Sequence, residues 1–168
     1  MKFKNIFITG STGVVGKPIF LKLINQGHNV FALSRNTKNE DFIRTNKAEV
    51  VNGDLFSENI YSQLKDKSID AIFHVAGANQ KCQKDPSLMH KTNIEGTKKM
   101  LELGNNLKIK KFIYTSSAVT LGEQKGKIGN ENSDHRGSFL SDYEESKFLA
   151  EQVAFAFNKN FEFVSINP

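Results

Sequence analysis

The sequence predicts one α/β domain over residues 1–168, with a doubly wound parallel sheet of about six strands and helices on both faces. The first observation behind this prediction is that short apolar segments alternate with helix-length segments along the whole chain. Because parallel neighbouring strands need a crossover connection, this alternation favours parallel pairing. The second observation is a glycine-rich turn directly after the first apolar segment. Right-handed crossovers then place helices on both sides of an open sheet.

Six apolar segments are predicted as strands, over residues 3–9, 29–33, 48–52, 69–75, 111–116 and 161–166. Such short apolar runs are typical of parallel strands that are buried on both faces. The first helix is indicated by apolar residues at helical spacing from Val15 to Ile24, and Gly27 ends it. The clearest further helices are predicted over residues 86–105 and 141–157. Residues 122–137 form one long polar loop, and a loop of that length is usually functional or disordered.

The composition argues against nucleic acid as a partner. With 38% hydrophobic and 24% charged residues, the chain has the composition of a folded globular domain. Its net charge of +5 comes mainly from lysines that are scattered along the chain. The densest group, Lys108, Lys110 and Lys111, fits the end of a helix, where the helix dipole favours positive charge. We therefore expect no nucleic-acid partner.

Cysteine content and hydropathy exclude further classes. Cys82 is the only cysteine, so neither an internal disulfide nor a cysteine metal cluster can form. No apolar run approaches the ~20 residues that span a bilayer, and the first residues lack a signal-peptide pattern. We therefore expect a cytoplasmic protein that makes no membrane contact.

The turn after the first strand predicts a phosphate-binding site. Its glycines follow a Gly-x-x-Gly-x-x-Gly spacing in the segment Thr9, Gly10, Ser11, Thr12, Gly13, Val14, Val15 and Gly16. Glycines permit the tight turn, the close approach of a pyrophosphate and the packing of the helix on the strand. Free N–H groups and the dipole at the start of the helix then attract the anion. An ordinary strand–helix connection is the alternative, but the position between strand and helix favours dinucleotide binding.

The end of the second strand indicates which dinucleotide binds. An acidic residue there would bind the ribose hydroxyls of NAD. This chain instead has Ser34, Arg35 and Asn36, and a guanidinium can pair with the 2′-phosphate of NADP. A solvated arginine on a loop is the alternative interpretation. The sequence therefore predicts NADP as the cofactor, with NAD as the second choice.

Tyr143 and Lys147 lie four residues apart in a predicted helix, which places both side chains on one face. A free phenol is too weakly acidic to act as a base at neutral pH, but a nearby ammonium group stabilises its ionised form. Such a pair can exchange protons with a substrate near pH 7. Because this spacing is common, an exposed helix face is the alternative interpretation.

Several further motifs occur in a fixed order along the chain. They are residues 9–16, Gly53-Asp54-Leu55, His74-Val75-Ala76-Gly77, Asn93-Ile94-Glu95-Gly96-Thr97, Tyr114-Thr115-Ser116-Ser117-Ala118, and the pair Tyr143 and Lys147. In this order the chain resembles an extended short-chain dehydrogenase/reductase of the NAD-dependent epimerase/dehydratase family, over essentially all 168 residues. The resemblance implies a Rossmann-like fold and an enzyme.

The resemblance also implies roles for individual residues. Tyr143 would be the catalytic acid/base, and Lys147 would assist it while binding the nicotinamide ribose. Ser117 would hydrogen-bond the reacting oxygen, with Ser116 as the weaker choice. Asn93 would hold the helix or a water near Lys147.

Further cofactor contacts follow from the same resemblance. Asp54 and Leu55 would contact the adenine, and Val75, Ala76 and Gly77 would lie along the cofactor. A turn or N-cap role is the alternative for Asp54.

The histidines are not expected to bind metal. We expect His74 to pack at the end of its strand. The other three, His28, His90 and His135, are isolated in the sequence and expected to be solvated. With so few candidate ligands, no metal site is predicted.

Within the family, the chain is most similar to the dihydroflavonol-reductase-like branch, through Asp85-Pro86, residues 91–97 and the closing residues 164–168. Members of the family continue past the sixth strand into a lobe that carries most of the substrate pocket. We therefore interpret the chain as truncated before that lobe, with a naturally minimal domain as the alternative.

Three functions remain open at this point. The first is an oxidoreductase that transfers hydride between NADP(H) and a small carbonyl or alcohol. The second is a nucleotide-sugar epimerase or dehydratase, and the third is a non-catalytic dinucleotide-binding module. The expected partners are the dinucleotide and a small-molecule substrate, with a homodimer left open as the assembly.

Overall fold

The computed structural model describes residues 3–79, 85–122, 129–130 and 132–168. Six strands are present: β1 Asn5–Thr9, β2 Asn29–Ser34, β3 Glu49–Asn52, β4 Ala71–His74, β5 Lys111–Thr115 and β6 Glu162–Ile166. The α-helices are α1 Gly16–Asn25, α2 Thr37–Thr45, α3 Ile60–Leu64, α4 Ser87–His90, α5 Gly96–Leu107 and α6 Asp142–Ala156. Cys82 and part of the predicted loop 122–137 lie outside the described residues.

The six strands form one parallel sheet in the order β3-β2-β1-β4-β5-β6. The chain crosses from one half of the sheet to the other between β3 and β4, so the carboxyl ends of β1 and β4 meet at the switch point. In a doubly wound sheet a ligand binds in the crevice at this point. The predicted fold class is confirmed, and β6 lies at an edge of the sheet.

Apolar side chains fill both faces of the sheet because successive residues of a strand point to opposite sides. Phe7 of β1 belongs to the cluster under α3, α5 and α6, together with Ile72 and Phe112. Its neighbours Ile6 and Ile8 point the other way, into the cluster that contains buried residues of α1. The two clusters fix the sheet between its helical layers.

The predicted helix over residues 86–105 is not continuous. It consists of α4, a π-helical turn over Lys91–Glu95, and α5. Asn93 is the one buried residue of the π turn, and its side chain bonds to groups on both sides of the helix. An extra residue in one turn leaves the apolar spacing on either side intact, so periodicity does not reveal it.

The expectation that His28, His90 and His135 are solvated needs correction. His28 is only partly exposed, and its Nδ1 lies 2.9 Å from the carbonyl oxygen of Phe3. His135 is not solvated: its side chain is 8% exposed, lies against Phe148 and Phe139, and places Nε2 3.4 Å from Glu144. His90 is also only partly exposed and lies 3.5 Å from Glu145. The contact of His90 with Glu145 joins distant parts of the chain, so local sequence gives no sign of it, whereas His135 is packed by residues of the segment that follows it. Within the described residues, no helix is long and apolar enough to cross a membrane.

Candidate active site

The glycine-rich turn owes its shape to two of its three glycines. Gly10 has φ +72°, and a Cβ built there would lie 2.7 Å from the backbone nitrogen of Ala76. A Cβ on Gly16 would lie 2.0 Å from the carbonyl oxygen of Gly10. A Cβ on Gly13 would meet only that same oxygen, at 3.4 Å. Gly10 and Gly16 are therefore required by packing, whereas Gly13 keeps the surface of the turn open.

Helix α1 begins at this turn without a side-chain cap at Val15. The helix start therefore keeps backbone N–H groups for an anion, and the dipole of α1 adds positive potential. Val14 and Val15 are exposed beside it. The turn thus fits the pyrophosphate of a dinucleotide.

A cleft of about 710 Å³ opens above the turn. Twelve residues predicted to bind the cofactor line it, namely Gly10, Thr12, Gly13, Val14, Val15, Gly16, Arg35, Asp54, Leu55, Val75, Ala76 and Gly77. Sequence reasoning missed several lining residues: Leu33, Asn39, Phe56, Asn79, Leu88, Lys91 and Thr92. Most of these follow a quoted motif by a few residues, which is the signal that could have identified them. Lys91 Nζ lies 5.2 Å from the ring centre of Phe56, so these two form one wall together.

Five predicted cofactor residues do not line the cleft: Lys147, which lies at the carboxyl end of β5, and four residues next to the cleft. Thr9 is fully buried, and its hydroxyl accepts a hydrogen bond from the Ala76 nitrogen at 3.1 Å. Ser11 is also buried. Ser34 donates to the carbonyl oxygen of Asn36, and Asn36 caps α2 by accepting from the Asn39 nitrogen. These side chains fix the strand ends from which the cleft residues project.

Asp54 has the turn role that was considered for it, and it also faces the cleft. Its Oδ1 accepts from the backbone nitrogen of Phe56 at 2.8 Å and from the hydroxyl of Ser57 at 3.2 Å, which closes a turn. The residue also lines the cleft. The predicted contact with adenine stays a prediction.

Asn93 joins the cleft to the predicted catalytic helix. Its side chain accepts from the Ala78 nitrogen at 2.7 Å and donates to the Ala78 carbonyl oxygen at 2.9 Å. It also donates to Ser146 Oγ at 2.9 Å, and Ser146 donates to the carbonyl oxygen of Tyr143. Asn93 therefore fixes the loop after β4 and the start of α6 in one geometry. No role was predicted for Ser146 from the sequence, although it lies between Tyr143 and Lys147.

Lys147 is buried at the carboxyl end of β5. Its Nζ donates to the carbonyl oxygen of Thr115 at 2.8 Å and lies 4.7 Å from the ring centre of Tyr114. Burial lowers the pKa of Lys147 to about 8, while the charge of Glu151 acts in the opposite direction. At neutral pH the side chain therefore remains largely charged inside the protein.

Ser117 and Tyr143 both precede this lysine in the chain, Ser117 just after β5 and Tyr143 one turn earlier on α6. Ser117 is half-buried and caps the short 3-10 turn Ala118–Thr120, whereas Ser116 is buried. This difference favours Ser117 over Ser116 as the serine that reaches a substrate. Tyr143 is half-buried in the first turn of α6. The assignment of Ser117, Tyr143, Lys147 and Asn93 as the reacting set stays a prediction.

His74 packs beneath the site, as expected. Its ring is fully buried, stacks on Tyr114, and hydrogen-bonds the hydroxyls of Thr9 at 2.8 Å and Thr97 at 3.1 Å. Burial, followed by the charge of Lys147, lowers the pKa of His74 to about 3. The ring is therefore neutral at physiological pH. Among the described residues, no three His, Cys, Asp or Glu side chains are grouped so that they could hold a metal ion.

The sheet, the glycine turn at its switch point and the cleft above it define a dinucleotide-binding α/β domain of the Rossmann type. The sequence pattern of the NAD dependent epimerase/dehydratase family matches residues 6–168. The chain belongs to this family, and the resemblance read from its motifs is confirmed.

Individual relatives agree with this membership. A putative dihydroflavonol 4-reductase of Synechocystis sp. is 30% identical over 166 residues, which cover 96% of this chain and 48% of the relative. A putative UDP-glucose 4-epimerase of Methanocaldococcus jannaschii is 27% identical over 157 residues, which cover 92% of this chain and 51% of the relative. The crystal structure of gox2253 matches with a TM-score of 0.85 at 30% identity, over 98% of this chain and 51% of that one. The chain thus spans about half the length of the relatives that it matches.

Proposed function

We propose that this chain is the cofactor-binding part of an NADP(H)-dependent oxidoreductase that transfers hydride to or from a small carbonyl or alcohol substrate. The observation that carries the proposal is the burial of Lys147, whose Nζ donates to the carbonyl oxygen of Thr115 at the carboxyl end of β5. It lies one turn after Tyr143 on the same helix, and Ser117 follows the same strand. Burying an ammonium group costs free energy, so a buried lysine indicates a functional role, whereas an exposed lysine does not.

The proposed chemistry uses each of these side chains at a stated atom. Tyr143 Oη donates a proton to the substrate carbonyl oxygen in reduction and removes it from the alcohol in oxidation. Ser117 Oγ hydrogen-bonds that oxygen and orients it. The ammonium of Lys147 favours the ionised phenol left after the proton transfer. When bound, the dinucleotide supplies or accepts the hydride.

The cofactor preference rests on Arg35. Its side chain lines the cleft just past the end of β2, and no acidic residue occupies that position. A guanidinium binds a phosphate through two parallel hydrogen bonds, which a ribose hydroxyl does not reproduce. The proposed cofactor is therefore NADP(H). Substrate contacts beyond the reacting oxygen would come from outside this cleft.

A nucleotide-sugar epimerase or dehydratase is the second candidate, because two relatives carry an epimerase name. The same Ser, Tyr and Lys residues would act in it, with the cofactor retained between turnovers. An epimerase would be purified with bound dinucleotide, whereas the proposed reductase would consume added NADPH in proportion to substrate.

Turnover tests the proposal directly. This chain would be fused to the part of the Synechocystis relative that it does not cover, and NADPH oxidation followed with a panel of small ketones and aldehydes. Tyr143→Phe should lower kcat by about 10²–10⁴-fold, the usual contribution of general acid catalysis, while NADPH affinity stays unchanged. Tyr61→Phe, at an exposed tyrosine of α3, is the matched control. If Tyr143→Phe kept more than about a tenth of the activity, the proposed role of Tyr143 would be wrong.

A further inference from the structure

Glu151 is a buried carboxylate for which neither the motifs nor the proposed chemistry supplies a role. It lies on α6 one turn after Lys147 and is only 7% exposed. An ionised carboxylate at that depth is costly unless polar groups compensate for the lost water. The polar groups that contact Glu151 therefore indicate which part of the structure it stabilises.

The first contact fixes the last strand to the catalytic helix. Ser165 of β6 donates to Glu151 Oε1 at 2.5 Å, which is short, as expected for a hydroxyl on a carboxylate. The same strand end pairs with the chain before the 3-10 turn, since the nitrogen of Ser116 donates to the carbonyl oxygen of Ile166 at 2.7 Å. Glu151 thereby fastens the strand end that borders Ser117.

The second contact runs through Asn167. Its Nδ2 lies 3.3 Å and 3.4 Å from the two carboxylate oxygens of Glu151. It also donates to Thr120 Oγ1 at 2.8 Å and to the carbonyl oxygen of Ser117 at 3.1 Å. Because one amide group has only two hydrogens, the shorter contacts are the hydrogen bonds and the longer two are chiefly electrostatic. The Glu151 carboxylate thus orients the Asn167 amide, which hydrogen-bonds both ends of the turn over residues 117–120, here called the Ser117 turn.

Charged and titratable groups on several elements lie around Glu151 and Lys147. Lys147 and Tyr143 lie on α6, Tyr114 faces them from β5, and His74 lies beneath on β4. His135 shares a cavity of about 480 Å³ with Glu151. Among these groups, the negative charge of Glu151 is the one that opposes the lowering of the Lys147 pKa by burial.

We propose that Glu151 is a positioning residue: it holds the Ser117 turn through Ser165 and Asn167, and it places a carboxylate one helical turn from the buried side chain of Lys147. The proposal rests on the proposed function for its consequence in catalysis, but not for its geometry. It predicts two separate effects of removing the charge, one on the titration of Lys147 and one on the environment of Ser117.

The test replaces the carboxylate by an amide of the same shape in this 168-residue chain. In Glu151→Gln, the titration midpoint of Lys147, followed by NMR of 15N-labelled lysine, should fall by about one pH unit. The backbone amide signals of Ser117 and Ala118 should shift in the same variant. Glu145→Gln is the matched control, because Glu145 is on the same helix but contacts His90. It should leave the Lys147 midpoint unchanged.

Asn167→Ala separates the effect on Ser117 from the effect on the titration of Lys147. It also tests the positioning role if Glu151→Gln does not fold. It should shift the Ser117 signals while the Lys147 midpoint stays within about 0.3 pH units, because the charge of Glu151 remains. An unchanged Lys147 midpoint in folded Glu151→Gln would overturn the charge effect. Unchanged Ser117 signals in both variants would overturn the positioning role. Neither measurement requires turnover, so a failure here is distinct from a failure of the proposed reductase activity.

Discussion

Asn93 Nδ2 donates a 2.9 Å hydrogen bond to Ser146 Oγ, across 53 residues of sequence. Asn93 also closes a pair of hydrogen bonds with the backbone of Ala78, next to the cleft residue Gly77. The bond therefore connects the wall of the cofactor cleft to the helix that carries Tyr143 and Lys147. A cofactor and a proton donor must be held together within a fraction of an ångström for hydride and proton transfer, and this connection can supply that rigidity.

The first prediction concerns the choice of cofactor. Arg35→Ala should weaken NADPH binding by at least about tenfold and leave NADH binding nearly unchanged, since only NADPH carries the 2′-phosphate. Calorimetric titration of both cofactors measures this. Arg44→Ala, at an exposed arginine of α2 that pairs with Glu40, is the control and should change neither. Equal affinities for NADPH and NADH in the unmodified protein would contradict the NADP assignment.

The second prediction separates the glycines of the turn. Gly13→Ala should leave the melting temperature unchanged, because its Cβ meets nothing closer than 3.4 Å, yet reduce dinucleotide affinity by at least about tenfold by entering the cleft. Gly16→Ala should destabilise the fold by about 1–3 kcal/mol, because its Cβ would overlap the oxygen of Gly10. Thermal melts and calorimetry distinguish the two. A Gly13→Ala protein with normal affinity would show that the pyrophosphate binds elsewhere.

The third prediction concerns acid stability. The pKa of His74 is about 3 in the folded protein and near 6.5 in the unfolded chain. Between these values the unfolded chain binds more protons, so stability is lost as the pH falls from 6.5 towards 3. The slope from this one group reaches about 1.4 kcal/mol per pH unit.

Urea denaturation at several pH values between 7 and 4.5 measures the effect. His74→Gln has no proton to gain, and its amide can still bond to Thr9 or Thr97. Its free energy of unfolding should therefore fall less steeply with acidification than that of the unmodified protein. Parallel pH profiles for the two proteins would show that His74 does not cause the acid sensitivity.

The fourth prediction concerns association of the 168-residue chain. β6 lies at an edge of the sheet, and Ile166 on it is 49% exposed. An apolar edge strand offers unpaired backbone groups to another chain. Light scattering should therefore show a mass that rises with concentration, and Ile166→Lys should reduce the rise. Tyr61→Lys, remote from β6, should not. A monomer at every concentration would contradict the prediction.

The sequence by itself determined the class of fold and the place of the cleft. Apolar runs at strand length and the glycine spacing around Gly10, Gly13 and Gly16 are local patterns, because they report which residues are buried and which backbone angles are needed. The end of β2 is also a local pattern, because Arg35 stands where an acidic residue would indicate NAD. These features could be predicted because each depends on neighbours in the chain.

Only the tertiary structure decided what holds the site together. Nothing local marks the π turn at Asn93, the bond from that residue to Ser146, or the contact of His90 with Glu145. Each arises where helices and strand ends that are distant in sequence come into contact. Glu151 is the clearest case: as part of a helical sequence it reads as one more charged residue, and only the packing of β6 on α6 buries it. The effect of a buried charge depends on the partners that the fold places around it.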